Sequence, residues 1–347
     1  MYPALAVHSV LASKVRDVET LWVGGEGGME EALVKRQGIP FRSIPAAGLH
    51  GVSPLVLPRN IVTIGRGILA ALGILNNFKP DVMFFTGGYV AVPMALAGRS
   101  IPSLLYVPDI EPGMALKSLA ASADVIAVTT EQSQQFFNKR VYETGYPLRP
   151  ELTLWDRQTA HQHLNISGKL PVLLVFGGSK GARSINVAVL NNLYALLKKF
   201  EIIHLSGETD WQIINNAREQ LPAEFADHYH AMPYLHEMGA ALASADLVLS
   251  RAGASCLGEY PLFGLPAVLV PYPHAWRYQK VNADYLTRRG AAIALEDQRL
   301  KDELLVTLNV LLENPNKLKA MRAAMFELSH PRAAEKIATA LIELAGE

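Results

Sequence analysis

The chain has 347 residues, half of them hydrophobic, with 32 basic and 32 acidic side chains and a formal net charge of zero. That length suits two domains with sizeable cores, and the even charge balance disfavours a general nucleic-acid binder, which is ordinarily basic. A single cysteine, Cys256, excludes an intramolecular disulfide framework and any multi-cysteine metal site, and fits a cytoplasmic location.

Met1 leads at once into Tyr-Pro and a helical pattern over Tyr2–Ser13, without the basic start of a signal peptide. Thr20–Val23 then reads as a strand ending in Gly24-Gly25, and a glycine loop at Gly24–Gly28 precedes a helix at Met29–Gln37. A doubly wound domain ordinarily opens with a strand, a glycine turn and then a helix. Here the helix comes first, which predicts a longer parent protein whose inner first strand precedes Met1, as a misplaced start codon would produce. Ile39–Ile44 is a short strand and Leu49–Pro58 a proline-bearing loop. Asn60–Phe78 reads as a long helix with Arg59, Arg66 and Lys79 at intervals. It is either a sheet-covering helix or a membrane-surface patch, because apolar faces with nearby cations bind anionic interfaces. Arg66 and several glycines and asparagines interrupt it, so no transmembrane helix is expected.

Strands at Asp81–Thr86, Ile101–Val107, Asp124–Thr129 and Val141–Thr144 continue the series. Between them lie Gly87-Gly88-Tyr89 with a helix to Gly98, the polar segment Pro108–Gly113, and a helix at Met114–Ala121. The two prolines of Gly145–Pro150 mark a hinge, since proline fixes its own backbone and restricts the residue before it. A second series follows with strands at Pro171–Phe176, Glu201–Ser206, Tyr229–Met232, Asp246–Ser250 and Ala267–Val270, and a helix from the first of these to Lys199. Further helices are expected at Ala254–Phe263, Lys301–Glu313, Asn316–Leu328 and Arg332–Leu344. Continuous apolar strands joined by helical crossovers are the mark of parallel sheets covered on both faces. The expected architecture is two tandem βα domains with a cleft between them, residues 1–147 and 148–330, and a last helix over 331–347.

Ligands of open parallel sheets bind at the C-terminal ends of the strands, so the chemistry is sought in those loops. Phe176–Ala182, FGGSKGA, joins a strand directly to a helix. Gly177, Gly178 and Gly181 allow close backbone approach to an anion, and the helix N-terminus adds positive potential, so the segment suits a diphosphate or is simply a tight structural turn. Ser179 adds a hydroxyl. The segment is neither a Walker A motif nor the spaced glycine fingerprint of dinucleotide binders. Glu259, one helical span after Arg251–Ser255, can accept both hydroxyls of a ribose diol or sit as a solvated helix residue. Arg149 can pair with phosphate or lie on the surface, and Gln279 can bind sugar hydroxyls or cap a helix. Cys256 reads as a small packed residue. Together these residues point to a nucleotide-diphosphate site.

In order along the chain stand YPALAV at Tyr2–Val7, GGY at Gly87–Tyr89, GYPLRPE at Gly145–Glu151, GGSKGARSIN at Gly177–Asn186, RAGAS with Glu259, GLPAVLVPYPHA at Gly264–Ala275 and QKVNA at Gln279–Ala283. As an ordered set they resemble the MurG family, the transferases that move N-acetylglucosamine from UDP-N-acetylglucosamine to undecaprenyl-pyrophosphoryl-muramoyl-pentapeptide in peptidoglycan synthesis. The resemblance implies a GT-B fold of two Rossmann-like domains, the C-terminal one for the nucleotide sugar and the N-terminal one for the lipid-linked acceptor, with the last helix crossing back to the N-terminal domain. It implies that Ser179 and its loop contact the diphosphate, Arg149 lies by the nucleotide sugar, and Leu235 meets uracil through its backbone. It further implies that Ala254, Ser255, Cys256, Leu257, Gly258 and Glu259 hold the nucleotide and that Gln279 binds the sugar. Gly87, Gly88, Tyr89 and Asp109 would face the acceptor. The implied enzyme is peripheral on the cytoplasmic face of the plasma membrane and uses neither metal nor cofactor.

Departures from the family pattern fall on the acceptor side. The GGTGGH loop that precedes the family's Tyr-Pro is absent, Asp109 stands where the family has asparagine, and Tyr146 replaces the asparagine of GNPxR. Asp109 and Glu111 are the remaining candidates for a base. Two other readings stay open: a GT-B transferase acting on another lipid acceptor such as diacylglycerol, and a non-catalytic nucleotide-sugar-binding chain.

Overall fold

The computed structural model describes residues 1–28, 30–48, 53, 55–178, 181–274 and 277–346. The chain divides into two compact units, Met1–Leu148 together with Arg332–Glu347, and Arg149–Pro331.

The first unit runs α1 (Tyr2–Lys14), β1 (Trp22–Gly25), α2 (Glu30–Arg36), β2 (Phe41–Ile44), α3 (Leu57–Phe78), β3 (Met83–Phe85), α4 (Ala91–Ala97), β4 (Ser103–Val107), α5 (Met114–Ala120), β5 (Val125–Val128) and β6 (Tyr142–Glu143), with the C-terminal helix Ala333–Ala345. β3, β4, β5 and β6 form a parallel sheet in that order, and β1 pairs with β2 in a separate parallel sheet. All five residues of β4 are buried. Leu104 and Tyr106 face α1 and the C-terminal helix, where Ala6, Val7, Ile337 and Leu341 meet them. Leu105 and Val107 point the other way, into a cluster with Ala71, Leu75 and Met94. Burial on both faces explains why Leu104–Val107 form a continuous apolar run rather than an alternating one. The tail helix brings the spacing Ala334, Ile337, Ala338, Leu341 to this core, the stripe of a helix that covers a sheet.

α3 differs from expectation in one respect. Among the described residues it is long and apolar enough to cross a bilayer, although Arg66 lies inside it. Its inward stripe is Gly67, Ala71 and Leu75. A Cβ on Gly67 would overlap the Pro45 carbonyl, so glycine lets the helix lie close to the chain below it.

The second unit contains α6 (Arg157–Leu164), β7 (Val172–Phe176), α7 (Arg183–Asn191), α8 (Leu193–Leu197), β8 (Glu201–Leu205), α9 (Trp211–Glu219), α10 (Ala223–Ala226), β9 (Tyr229–Met232), α11 (Met238–Ser244), β10 (Leu247–Ser250), α12 (Glu259–Phe263), β11 (Ala267–Leu269), α13 (Tyr278–Arg288), β12 (Ala292–Ala294), α14 (Leu300–Leu312) and α15 (Pro315–Glu327). Among the described residues its six strands are all parallel, in the order β12, β11, β10, β7, β8, β9.

Two expected helices are corrected. The helix predicted to run unbroken to Lys199 divides at Asn192 into α7 and α8. Ala254–Phe263 is not one helix: Ala254–Leu257 is a 3₁₀ turn, Gly258 breaks it, and α12 begins at Glu259. The turn closes through bonds three residues apart, Cys256 N to Gly253 O at 3.0 Å and Gly258 N to Ser255 O at 3.1 Å. Pro261 has no N–H to extend an α-helical ladder back across Gly258.

A buried polar chain crosses the second sheet. The two ring nitrogens of His204 on β8 lie 2.8 Å from Tyr229 Oη and 3.0 Å from Asn186 Oδ1, and Asn186 Nδ2 donates to Ser206 O and Asp210 Oδ2, both at 2.9 Å. Complete burial pushes the imidazole down to about 3 from an ordinary 6.5, because desolvation disfavours the charged ring. The folded pKa is depressed, so this histidine's contribution is fully present above about 6.5 and is lost as pH falls toward about 3. In His204→Gln the slope of unfolding free energy against pH should flatten in that window by the equivalent of about one proton; denaturant titrations across the range measure it.

Candidate functional site

The second sheet sets the geometry of the candidate site. Phe176 at the end of β7 pairs with Ser250 at the end of β10, and Ser250 pairs with Leu269 at the end of β11. The loops after these three neighbouring strands therefore emerge side by side at one edge.

The loop after β7 is shaped by its glycines. A Cβ on Gly177 would overlap Ala182, so the chain doubles back on itself there. Gly181 has φ +77° and sits against Ser206 O, which leaves no space for a side chain. Its N–H donates to Gly178 O at 2.9 Å and closes the turn just before α7. The backbone amides of the first turn of α7 have no partner within the helix, which makes this end a natural anion cradle. Ser179, expected to face the diphosphate, lies outside the described residues. Behind the turn, the hydrogen bonds of Asn186 to Ser206 and Asp210 fix α7 to the loop after β8.

After β10 the 3₁₀ turn delivers Ser255 and Glu259. Glu259 is 8% exposed, so it is no solvated helix residue. Burial pushes its carboxyl above the usual carboxylate range, against the opposing pull of the Arg149 guanidinium and a hydrogen bond from Ser255. Arg149 precedes the 3₁₀ turn Pro150–Leu154. That turn packs closely on α11: a Cβ on Gly239 would press on Trp155 and Leu152. Arg149, from a distant part of the sequence, lies near enough to Glu259 for its charge to act on that carboxyl, which Ser255 also meets. Ser250 Oγ and Tyr260 Oη are 2.6 Å apart, which ties α12 to the end of β10. Cys256 and Leu257 are buried, and Cys256 is a packed side chain as expected.

After β11, the Tyr272 N–H donates to Gln279 Oε1 at 2.8 Å. Through this bond the Gln279 side chain ties the loop after β11 to the start of α13. Asn282, fully buried on α13, donates to Ala252 O at 3.1 Å and joins the loops after β10 and β11. Leu235 follows β9 at the far edge of the same sheet and is half-buried.

The first unit has a second polar edge. Gly87 and Gly88 take φ +103° and +87° after β3, and Tyr89 is 58% exposed. Tyr106 Oη lies 2.7 Å from Thr129 Oγ1, whose hydroxyl also donates to Pro108 O at 2.8 Å, and Ser133 Oγ donates to Ile110 O at 2.9 Å. These bonds pin the segment that carries Asp109 and Glu111. Asp109 is half-buried, whereas Glu111 is only 3% exposed. Tyr146 meets Tyr106 edge-on, with ring centroids 6.5 Å apart. The residues that composition and spacing left unremarked are Tyr260, Asn282 and Asp297; of these, only Asn282 belonged to a recognised segment, QKVNA.

Residues 1–127 match the glycosyltransferase family 28 N-terminal domain and residues 172–337 match its C-terminal domain. The chain is a MurG-type member of glycosyltransferase family 28. It is 38% identical to the UDP-N-acetylglucosamine–N-acetylmuramyl-(pentapeptide) pyrophosphoryl-undecaprenol N-acetylglucosamine transferase of Roseiflexus sp. (strain RS-1), an alignment covering 97% of this chain and 91% of that protein. It is 37% identical to the protein of the same name from Desulforudis audaxviator, over 100% and 96% of the two chains. Among solved structures, MurG of Acinetobacter baumannii superposes with a TM-score of 0.75 at 25% identity, covering 99% of this chain and 95% of that one. The two Rossmann-like parallel-sheet units are thus those of a GT-B family member.

The environment of Glu259 gives a test within this unit. Its folded pKa is raised, so the group costs nothing below the ordinary carboxylate range and opposes folding as pH rises through the raised value. The melting temperature of Glu259→Gln, relative to the unsubstituted chain, should therefore climb as pH increases through that window, as scanning calorimetry at several pH values would read.

Proposed function

We infer that this chain transfers N-acetylglucosamine from UDP-N-acetylglucosamine to undecaprenyl-pyrophosphoryl-muramoyl-pentapeptide, converting lipid I to lipid II in peptidoglycan synthesis. The observation that carries the inference is the phosphate-type turn beside the Arg149–Ser255–Glu259 group on one sheet edge. It occurs in a chain 38% and 37% identical, nearly end to end, to transferases named for that reaction.

The donor's ribose diol is assigned to the Glu259 carboxylate and its diphosphate to Arg149 and the turn at Gly177–Gly181. The sugar goes to Gln279, and uracil to the backbone at Leu235. The acceptor hydroxyl attacks the anomeric carbon as the bond to UDP breaks, with inversion. Negative charge developing on the leaving diphosphate is met by backbone N–H groups, the α7 N-terminus and Arg149, which are preorganised for it. No metal is assigned to that role, so EDTA should leave turnover unchanged. On the acceptor side Asp109, less buried than Glu111, is assigned as the group that takes the acceptor proton, near Gly87, Gly88 and Tyr89.

α3 is assigned to the membrane surface on the cytoplasmic side. It exposes Ile61, Val62, Leu69 and Leu72, continues an exposed run at Leu55, Val56 and Leu57, carries exposed Arg59 and Arg66, and has no acidic residue. An apolar face with cations along its border matches an anionic lipid interface.

The purified protein, UDP-N-acetylglucosamine and a lipid I analogue should yield lipid II; transfer to diacylglycerol alone would overturn the assignment of acceptor. Glu259→Ala should weaken UDP binding by about tenfold or more, the scale of a lost charged hydrogen bond, and unchanged affinity by titration calorimetry would remove the ribose role. Asp109→Asn should lower kcat by about 100-fold or more while leaving UDP affinity unaltered. Ile61→Glu with Leu69→Glu should abolish sedimentation with phosphatidylglycerol vesicles and leave UDP affinity intact.

A further inference from the structure

Arg251 follows β10 at the same sheet edge and is only 10% exposed at its side chain. It is the centre of a connected group drawn from four loops. Its Nη1 donates to Val270 O at 3.1 Å and also to Asp297 Oδ1. Its Nη2 donates to Ser184 Oγ at 2.8 Å, and the Ser184 hydroxyl in turn donates to Asp297 Oδ1 at 2.6 Å. Its guanidinium lies 5.3 Å from the centroid of the Tyr272 ring, a cation–π contact. The Tyr272 N–H then reaches Gln279 Oε1. Two of these partners border parts of the donor assignment. Ser184 lies in the first turn of α7, beside the diphosphate turn. Val270 and Tyr272 begin the loop that leads to Gln279. Asp297 lies in the 3₁₀ turn before α14.

We propose that Arg251 is a positioning residue for donor selectivity: held by Asp297 and Ser184, it clamps the Tyr272 loop to the first turn of α7 and so fixes the distance between the diphosphate turn and the sugar-facing amide of Gln279. The proposal rests on the donor assignment made above. The chemistry requires arginine. Two carbonyl or carboxylate oxygens on one nitrogen, a hydroxyl on the other and an aromatic ring on its face need a planar fork, and a lysine ammonium is a single point charge. The clamp touches no reacting atom. Its action is to hold a hydrogen-bond donor against one sugar hydroxyl, and such placement decides between epimers because a misaligned hydroxyl leaves a polar group unpaired.

The experiment compares steady-state kinetics with UDP-N-acetylglucosamine and with its C4 epimer, UDP-N-acetylgalactosamine, for Arg251→Met, Arg251→Lys, Tyr272→Leu, Gln279→Ala and the double variant Arg251→Met/Gln279→Ala. Tyr272 is 45% exposed, so Tyr272→Leu tests the same link without disturbing the core. Arg251→Met and Tyr272→Leu should each lower the preference for the gluco donor by about tenfold, mainly through KM, as loss of one well-placed hydrogen bond would. Arg251→Lys should fail to restore it. The double variant should lose no more preference than Gln279→Ala alone, because the two residues act through one contact. Additive losses, or an epimer preference unaltered in Tyr272→Leu and Arg251→Met, would overturn the clamp. If the unsubstituted chain binds no UDP, the donor assignment itself falls and the clamp falls with it; normal UDP binding with additive cycles removes the clamp alone.

Discussion

Parallel strands end on the same side, and that constraint underlies the donor half of this molecule. In-register pairing of β7, β10 and β11 forces three loops from distant parts of the chain to share one rim. Two of these loops issue from fully buried strands, and each must satisfy its backbone groups within a crowded edge. Glycine solves the problem after β7, where Gly177 and Gly181 admit no Cβ. Side chains solve it elsewhere, with Asn282 bonded to Ala252 O and Arg251 to Val270 O. The same polar groups stabilise the rim and border the edge assigned above to the donor.

Burying Glu259 makes sense against this background. Desolvating a carboxylate is costly, and the cost appears as a raised pKa despite Arg149 and Ser255. A surface glutamate would be cheaper for folding. A buried one is held by its surroundings in one direction, which suits the ribose role proposed above. The neutral His204 chain behind α7 follows the same economy: a completely buried ring that stays uncharged at physiological pH can fix Asn186 through both nitrogens.

Elements with a strong local signature were legible in the residues. Leu104–Val107 of β4 and all of β7 are uninterrupted apolar runs, and both glycine turns contain glycines at positive φ. The hinge prolines lie where the chain passes from one unit to the other, between Leu148 and Arg149. Legibility failed where tertiary contacts decide. β12 is three residues, Ala-Ile-Ala, whose pairing with β11 alone makes it a strand. The break at Gly258 depends on a 3₁₀ turn that fits the space beside β10, while helical spacing alone continues through it. Glu259 by itself fits a solvated helix position as well as a ligand-facing one, and only the packing around α12 shows that it is buried. Asp297 carries no local pattern, because its meaning comes from Arg251 and Ser184, 46 and 113 residues away.

α3 inverts the ordinary amphipathic plan. A helix that covers a sheet turns its large apolar side chains inward. Here the inward stripe includes Gly67 and Ala71, while Ile61, Val62 and Leu69 are 56%, 64% and 71% exposed. Small residues inward bring the helix close to Pro45, and Ile61, Val62, Leu69 and Leu72 are left exposed. At roughly 25 cal/mol for each Å² of apolar area removed from water, that surface is a standing reserve of binding energy that only a second apolar phase can draw on. Arg59 and Arg66, one heptad apart and both exposed, set a positive border along it, and the helix has no acidic side chain to repel an anionic surface. The membrane-surface assignment proposed for α3 gives this distribution a use, since an enzyme whose acceptor is anchored in a bilayer gains from such a face.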